Sequence, residues 1–157
     1  LPRALFVTSS RVVPNHTEAW KAIHEPGFDP IQTIVLEQDQ VQPAADDIRA
    51  EPRSDQAAHV AFARYGLNAV EIAVEAPTSG WLLLSDVYYP GWRATVNGAP
   101  TPFLRADYAF RAVRVPAGDH EVKMSFAPWT WHVGLALSLT TWLALAGVAI
   151  QRLRSRP

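Results

Sequence analysis

The stretch that decides the architecture is His120–Ile150, which reads HEVKMSFAPWTWHVGLALSLTTWLALAGVAI. Apolar and polar residues alternate through its first seven positions, with Val122 and Met124 on the apolar face, as in a half-buried β-strand. After Pro128 the alternation ends, and residues 133–150 contain no ionisable group. A helix of that length spans roughly 27 Å, close to the roughly 30 Å hydrocarbon core of a bilayer. The sequence therefore predicts a β domain that continues directly into a membrane-spanning helix.

The residues on either side of the apolar run predict its orientation. Trp129 and Trp131 precede it, where aromatic side chains anchor at a membrane interface. Arg152, Arg154 and Arg156 follow it, and by the positive-inside rule they mark the cytoplasmic end. The alternative is a buried helix of a soluble protein, which is disfavoured because such a helix normally carries a polar stripe.

This interpretation divides the chain into three parts. We expect an extracytoplasmic domain over residues 1–128, a transmembrane helix over 129–151 and a basic cytoplasmic tail over 152–157. The charge is divided in the same way, since residues 1–131 carry 11 Lys/Arg and 15 Asp/Glu, whereas residues 132–157 carry three arginines and no acid. The lipid bilayer is thus the first partner that the sequence predicts.

Composition excludes several functional classes. The 157 residues include no cysteine, which rules out a disulfide scaffold, a thiolate metal site and a cysteine nucleophile. The net charge is -1, so the chain is not a basic nucleic-acid binder. None of the five histidines has a metal-ligand spacing such as HExxH. We expect no metal, no cofactor and no nucleic-acid partner.

The extracytoplasmic part has the pattern of an antiparallel β-sandwich of the jelly-roll or Ig-like type, because short strand signals alternate with turn residues. Strands are predicted at Leu5–Thr8, Arg11–Val13, Ile31–Glu37, His59–Tyr65, Ala69–Glu75, Gly80–Tyr88, Trp92–Val96, Thr101–Arg105, Phe110–Val115 and Glu121–Phe126. Asn97-Gly98 is a strong signal for a tight hairpin. Asn15 and Glu18 predict the start of one short helix, which Pro26-Gly27 ends. The polar, proline-containing residues 38–56 are predicted to form a loop in which a partial strand could lie.

One block of sequence resembles a known family. LSDVYYPGWRATVNG (Leu84–Gly98), AFRAV (Ala109–Val113) and VPAG (Val115–Gly118) together resemble the bacterial membrane protein YfhO family. The opening residues Leu1–Ala4 and the segment from Phe28 to Glu37 are similar to it as well. One difference is Asp107, where the family pattern more often has Asn, which weakens any amide-specific role for that position.

The resemblance implies the C-terminal extracytoplasmic domain and last helix of a large polytopic protein in the bacterial cytoplasmic membrane. Such proteins look related to membrane glycosyltransferases that use lipid-linked, polyprenyl-type sugar donors and decorate envelope glycans such as lipoteichoic acid. The catalytic residues would then lie in an N-terminal membrane domain that precedes Leu1, and this chain would be non-catalytic by itself. The alternative hypothesis is a membrane-tethered structural or protein-interaction module of the cell envelope.

The candidate site is a group of aromatic and charged residues that a sugar-binding surface would need: Trp81, Asp86, Tyr88, Tyr89, Trp92 and Arg93. Aromatic rings stack on the apolar faces of sugars, and charged groups bind their hydroxyls. The favoured alternative is that the rings fill the sandwich core, and an intermediate one is that they brace a loop that faces the membrane domain.

Two carboxylates in this part of the chain are candidates for glycosidic chemistry. Asp86 and Asp107 would have to lie close together to act as an acid and base pair. We expect them instead to cap turns or to pair with Arg93, Arg105 or Arg111, because structural ion pairs are common.

Overall fold

The computed structural model describes residues 1–41 and 57–154. Eleven strands and two helices follow one another in this part of the chain: β1 (Ala4–Val7), β2 (Ser9–Val13), α1 (His16–Ile23), β3 (Thr33–Glu37), β4 (His59–Tyr65), β5 (Ala69–Ala76), β6 (Gly80–Leu84), β7 (Trp92–Val96), β8 (Ala99–Thr101), β9 (Phe103–Ala106), β10 (Phe110–Val115), β11 (Gly118–Phe126) and α2 (Trp129–Arg154). They form two compact units, Leu1–Phe126 and Ala127–Pro157.

The first unit is a β-sandwich of two sheets. One sheet has six strands in the order β1-β6-β10-β9-β3-β2, and the other has five in the order β4-β5-β11-β7-β8. Their facing sides share one apolar cluster, which includes Leu82 and Val113 from the first sheet and Ile72, Val122 and Met124 from the second. All five of these side chains are fully buried. The alternation of β11 in the sequence therefore places its apolar side chains in the core between the sheets.

Strand β6 lies inside the six-stranded sheet and is apolar on both faces. Its neighbours β1 and β10 pair with it in antiparallel register. Leu82 and Leu84 point into the core between the sheets, whereas Trp81 and Leu83 belong to a second apolar cluster. A continuous apolar run such as GWLLL is what a strand buried on both faces requires.

One pair of strands departs from the antiparallel pattern. Strands β2 and β3 run parallel, and α1 forms the connection between them. The side chain of Asn15 accepts a hydrogen bond from the backbone N–H of Glu18 at 3.0 Å, which confirms the predicted cap. Helix α1 buries Ala19 and Ala22 against Val35 of β3. This crossover helix lies beside the turn between β9 and β10, where one of the surfaces described below is placed.

Most strands match the predicted positions, with shifts of one to three residues at several ends and two larger differences. Strand β6 ends at Leu84 rather than at Tyr88, because the chain turns away towards Pro90-Gly91. Pro102, which has no N–H for a ladder, separates β8 from β9 where one strand was predicted. Of the predicted loop at residues 38–56, only residues 38–41 lie within the described part of the chain.

The tight turn after β7 is formed as its sequence predicts. Val96 pairs with Ala99 across a two-residue loop, and both loop residues have positive φ, 50° at Asn97 and 81° at Gly98. Asparagine and glycine tolerate this left-handed conformation better than other residues. The Asn97 side chain also accepts a hydrogen bond from the backbone N–H of Glu121 at 2.8 Å, which ties the turn to β11.

The second unit is the helix α2. Residues Trp129–Gln151 are 23 residues long with a mean hydropathy of 2.0, which is long and apolar enough to cross a membrane. Apolar side chains lie all around the helix, and large ones such as Trp142 and Leu143 are exposed. A helix makes its backbone hydrogen bonds internally, and a helix without a polar face can expose its side chains to lipid on every side.

Candidate functional site

Four polar side chains, which we call the Asp86 cluster, meet where β6 ends: Arg3, Tyr65, Asp86 and Arg111. Arg3 donates to Asp86 Oδ1 from Nε at 3.2 Å and from Nη2 at 3.1 Å. The hydroxyl of Tyr65 donates to Asp86 Oδ2 at 2.8 Å, and Arg3 also contacts that hydroxyl. The Nη1 atom of Arg111 lies 3.9 Å from Oδ2. The Asp86 carboxylate therefore connects Arg3, next to β1, with Tyr65 of β4 and Arg111 of β10.

Arg111 extends this cluster to the loop at residues 85–91. Its Nε donates to the backbone carbonyl of Val87 at 2.9 Å, and its guanidinium lies 4.1 Å above the ring of Trp92. Burial lowers the pKa of Arg111, although the nearby Asp86 carboxylate opposes this effect. Burial and the hydrogen bond to Asp86 raise the pKa of Tyr65. The buried guanidinium of Arg111 contacts a carboxylate, a backbone carbonyl and an aromatic ring, and these contacts restrain the loop at residues 85–91.

The predicted aromatic residues are divided between the core and the surface. Trp81 is only 1% exposed, so neither face of its ring is open to a ligand. The Tyr88 ring is half-buried and stacks on Phe103, with centroids 5.7 Å apart. Trp92 is half-buried, Tyr89 is exposed, and both rings contact Phe126, at 5.7 Å and 6.1 Å. Arg93 is exposed at the start of β7.

Asp107 lies in a different environment from Asp86. It occupies the turn between β9 and β10 with a φ of 46°, and its Oδ1 accepts a hydrogen bond from the backbone N–H of Val35 at 2.7 Å. Its backbone N–H donates to the Val35 carbonyl at 2.9 Å, so the turn is bound to β3 by two hydrogen bonds. The second carboxylate oxygen, Oδ2, is buried with no hydrogen-bond partner among the described residues. Burial raises the pKa of Asp107 to about 6, although the hydrogen bond from Val35 opposes that rise.

A second surface, which the sequence did not suggest, lies beside α1. We call it the Trp20 patch and define it by His16, Trp20, Glu37, Arg105 and Tyr108. The rings of His16 and Tyr108 stack with centroids 3.9 Å apart, and Trp20 meets Tyr108 edge-on at 4.9 Å. Three of these residues line a depression of about 270 Å³, in which Trp20 is 49% exposed. The patch offers aromatic rings at a concave surface.

An ion pair between half-buried Arg105 and buried Glu37 belongs to the Trp20 patch. Arg105 donates to Glu37 through two hydrogen bonds of 2.9 Å and 2.6 Å, and the Nδ1 of His16 lies 2.8 Å from the same carboxylate. Burial alone would raise the pKa of Glu37, but the hydrogen bonds from Arg105 and His16 outweigh it, and the pKa is lowered. The carboxylate is therefore ionised at neutral pH and holds His16 against Tyr108.

These contacts are long-range and explain why the sequence missed the patch. Trp20 and Tyr108 are 88 positions apart, and Tyr108 adopts a positive φ of 71° in its turn. A bulky residue in that conformation is uncommon, but its φ is visible only in the structure. No group of three or more His, Asp or Glu side chains that could hold a metal lies within residues 1–41 and 57–154.

Comparison with known sequences identifies the family. The sequence model described as bacterial membrane protein YfhO matches residues 43–138, which is more than half of the chain. The chain belongs to the YfhO family. The uncharacterized protein YfhO of Bacillus subtilis (strain 168) is 29% identical over 72 residues, which are 46% of this chain and 8% of that relative. The match thus covers a small part of the relative's length, and no solved structure is significantly similar to the chain.

The YfhO match covers one of the two surfaces almost completely. Tyr65, Asp86 and Arg111 of the Asp86 cluster lie within residues 43–138, whereas Trp20 and Glu37 of the Trp20 patch precede them. The match also includes the first residues of α2, so it extends from the β-sandwich into the apolar helix.

The predicted membrane anchors occupy the two ends of α2. Trp129 and Trp131 are exposed on its first turn, and Arg152 and Arg154 belong to its last turn. Arg156 lies outside the described residues. The helix and the YfhO family together establish a membrane protein.

Proposed function

We propose that this chain is the extracytoplasmic accessory domain and final membrane-spanning helix of a polytopic YfhO protein that transfers sugars. The donor would be a lipid-linked sugar and the acceptor a cell-envelope glycan of the lipoteichoic-acid type. Family membership and the apolar helix Trp129–Gln151 support a place in the membrane. The positive-inside rule supports residues 1–128 on the outer side, where such acceptors lie.

The role proposed for the chain is to hold the acceptor and not to catalyse. The two carboxylates considered for glycosidic chemistry accept hydrogen bonds from different groups. Asp86 accepts them from Arg3 and Tyr65, and Asp107 accepts one from the backbone N–H of Val35. An acid and base pair must flank a single bond, and these side chains have no shared partner among the described residues. Catalytic groups would therefore come from the membrane domain of the parent protein.

The Trp20 patch is the surface that best fits a glycan. Trp20 and Tyr108 present rings to a depression, and the polar side chains of His16 and Arg105, which both bind Glu37, lie next to them. Sugar rings expose apolar C–H faces for stacking and hydroxyls for hydrogen bonds, and this combination of groups matches both. The exposed ring of Trp20 at a depression that Tyr108 also lines is the observation that carries the proposal.

Glycan binding by the detergent-solubilised full chain tests this assignment. The probe is an array of hexose and N-acetylhexosamine oligosaccharides, followed by titration calorimetry on any that bind. The variant Trp20→Ala is expected to lose binding, whereas the matched control Ile31→Ala, which removes another exposed apolar side chain, is expected to retain it. Thermal unfolding of both variants shows whether the fold is kept.

Two results would contradict the assignment. Unchanged binding in Trp20→Ala would place the glycan site elsewhere. An absence of binding to every oligosaccharide would favour the alternative function, a membrane-tethered structural or protein-interaction module.

Among the residues predicted to bind sugar or to brace a loop, Asp86 and Trp92 fit the second role better. Trp92 and Asp86 contact Arg111, and Arg111 holds the carbonyl of Val87. Each of these polar groups is used within the protein. We propose that the Asp86 cluster fixes the conformation of the loop at residues 85–91.

A further inference from the structure

The most exposed apolar side chains of the β-sandwich lie in two neighbouring turns. Leu67 is 96% exposed, Val87 is 67% exposed and Tyr89 is 62% exposed, which are the highest values among the large apolar residues of 1–41 and 57–126. Single exposed apolar residues are ordinary in proteins, but three that cluster at one end of a domain mark an interaction surface.

The two turns are joined through one residue at the end of β11. The backbone N–H of Phe126 donates to the carbonyl of Asn68 at 2.9 Å, and its ring lies 6.1 Å from that of Tyr89. Both the turn at residues 66–68 and the loop at residues 85–91 thus adjoin the point where the chain leaves the sandwich. We call these two segments the apolar rim.

The position of the apolar rim in the chain suggests its partner. Only Ala127 and Pro128 separate Phe126 from Trp129, where the apolar helix begins. The strand that adjoins the rim therefore leads into the apolar helix through a link of two residues, which extends at most about 7 Å. Interfacial membrane contacts are typically made by aromatic and aliphatic side chains next to basic residues. Arg64 and Arg93 are exposed basic residues on strands at this end.

We propose that the apolar rim inserts Leu67, Val87 and Tyr89 into the interfacial region of the lipid bilayer that the following helix crosses. The bilayer covers the three side chains and thereby removes their apolar surface from water. Arg64 and Arg93 lie where they can contact anionic headgroups. The surface fits a lipid better than a protein, because the exposed charged side chains beside it, Arg64 and Arg93, are basic, and because the adjoining strand β11 leads directly into a membrane helix.

The Asp86 cluster makes this surface rigid before it meets lipid. The hydrogen bond from Tyr65 to Asp86 links the end of β4 to the loop at residues 85–91, and Arg111 holds the same loop at Val87. A loop that is already fixed loses little conformational entropy when it binds. The rim can therefore bind lipid without first folding.

Site-specific fluorescence on the full chain tests the proposal, because the sequence has no cysteine. Leu67→Cys and Tyr89→Cys are labelled with an environment-sensitive fluorophore and reconstituted into phosphatidylcholine/phosphatidylglycerol vesicles. Ala117→Cys is the matched control, since it is exposed in the turn that precedes β11, at the opposite end of that strand. Lipids brominated in the acyl chain serve as the quencher.

The labels at positions 67 and 89 are expected to emit at shorter wavelength than the control label and to be quenched by the brominated lipid. Equal quenching at positions 67 and 117 would overturn the proposal, whether both labels are quenched or neither is. A label at position 67 that is quenched only when phosphatidylglycerol is present would support the proposed contact of Arg64 and Arg93 with anionic headgroups. Far-ultraviolet circular dichroism of each variant confirms that the strands are kept.

Discussion

Replacing Asp107 by asparagine should stabilise the protein at alkaline pH and leave it nearly unchanged at acidic pH. Burial raises the pKa of Asp107 from its ordinary value of 3.8 to about 6 in the folded state. The contribution of this group to stability is fully present below pH 3.8 and is lost as the pH rises through about 6, because the folded state then has to ionise a buried acid. An asparagine side chain at this position never ionises and would not suffer that loss.

The size of the effect follows from the difference between the two pKa values. That difference is about two pH units, and each unit is worth about 1.4 kcal/mol, which gives about 3 kcal/mol at pH 8 and less than about 1 kcal/mol at pH 4. Asparagine keeps an Oδ1 for the backbone N–H of Val35 and tolerates the positive φ of 46°. Its buried amide NH2 replaces the unpartnered Oδ2 and lowers the gain, so about 3 kcal/mol is an upper bound.

Urea unfolding of Asp107→Asn and the wild type in non-ionic detergent, followed between pH 4 and pH 8, measures this effect. The two proteins share every other titrating group, so the difference between their unfolding free energies isolates position 107. We expect this difference to grow with pH in favour of the variant. A difference that is constant across the range would show that the carboxyl of Asp107 is solvated, and the reasoning would be wrong.

Three further substitutions test separate parts of the structure. Arg105→Met leaves the Glu37 carboxylate buried without its main donor and should lower the free energy of unfolding by about 2 kcal/mol at pH 7. Because the pKa of Glu37 is lowered in the folded protein, this loss should shrink in urea unfolding as the pH falls below 4.5, the ordinary pKa of a glutamate. Gly80→Ala places a methyl group 2.5 Å from a neighbouring phenylalanine ring and should cost about 1–3 kcal/mol in urea unfolding, whereas no change would contradict the close packing of β1 on β6. Leu143→Arg puts a charge in the middle of the apolar helix and should disfavour insertion by about 3 kcal/mol, so carbonate extraction should release more of the variant from membranes, and equal release would argue against a span.

The strands could be predicted because the residues that determine them lie close together in the sequence. Alternation in β11 and β5, and the tight-turn pair after β7, depend on residues within a few positions of one another. The parallel pairing of β2 with β3 was not predicted, because the residues of a short strand do not determine which other strand it pairs with. Helix α1 could be predicted from its cap at Asn15, but its role as a crossover between two strands of the same sheet could not.

The candidate site was only partly predictable for a related reason. Aromatic and charged residues between Trp81 and Arg93 are close in sequence, and the structure separates them into a buried ring, a braced loop and an exposed ring. The contact of Arg3 with Asp86 joins positions that are 83 residues apart. The Trp20 patch depends on the same kind of distant contact, between a helix and a turn, and its depression exists only once β3 and β9 are paired.

We propose that the chain crosses the membrane once after the β-sandwich, with the sandwich on the outer side. A reporter fused directly after Pro157 in the parent protein tests it most directly, with green fluorescent protein as one reporter and alkaline phosphatase as the other. We expect fluorescence from the first fusion and no phosphatase activity from the second, because the positive-inside rule puts the arginine-rich end in the cytoplasm. Phosphatase activity without fluorescence would place that end outside the cytoplasm and contradict the proposed orientation.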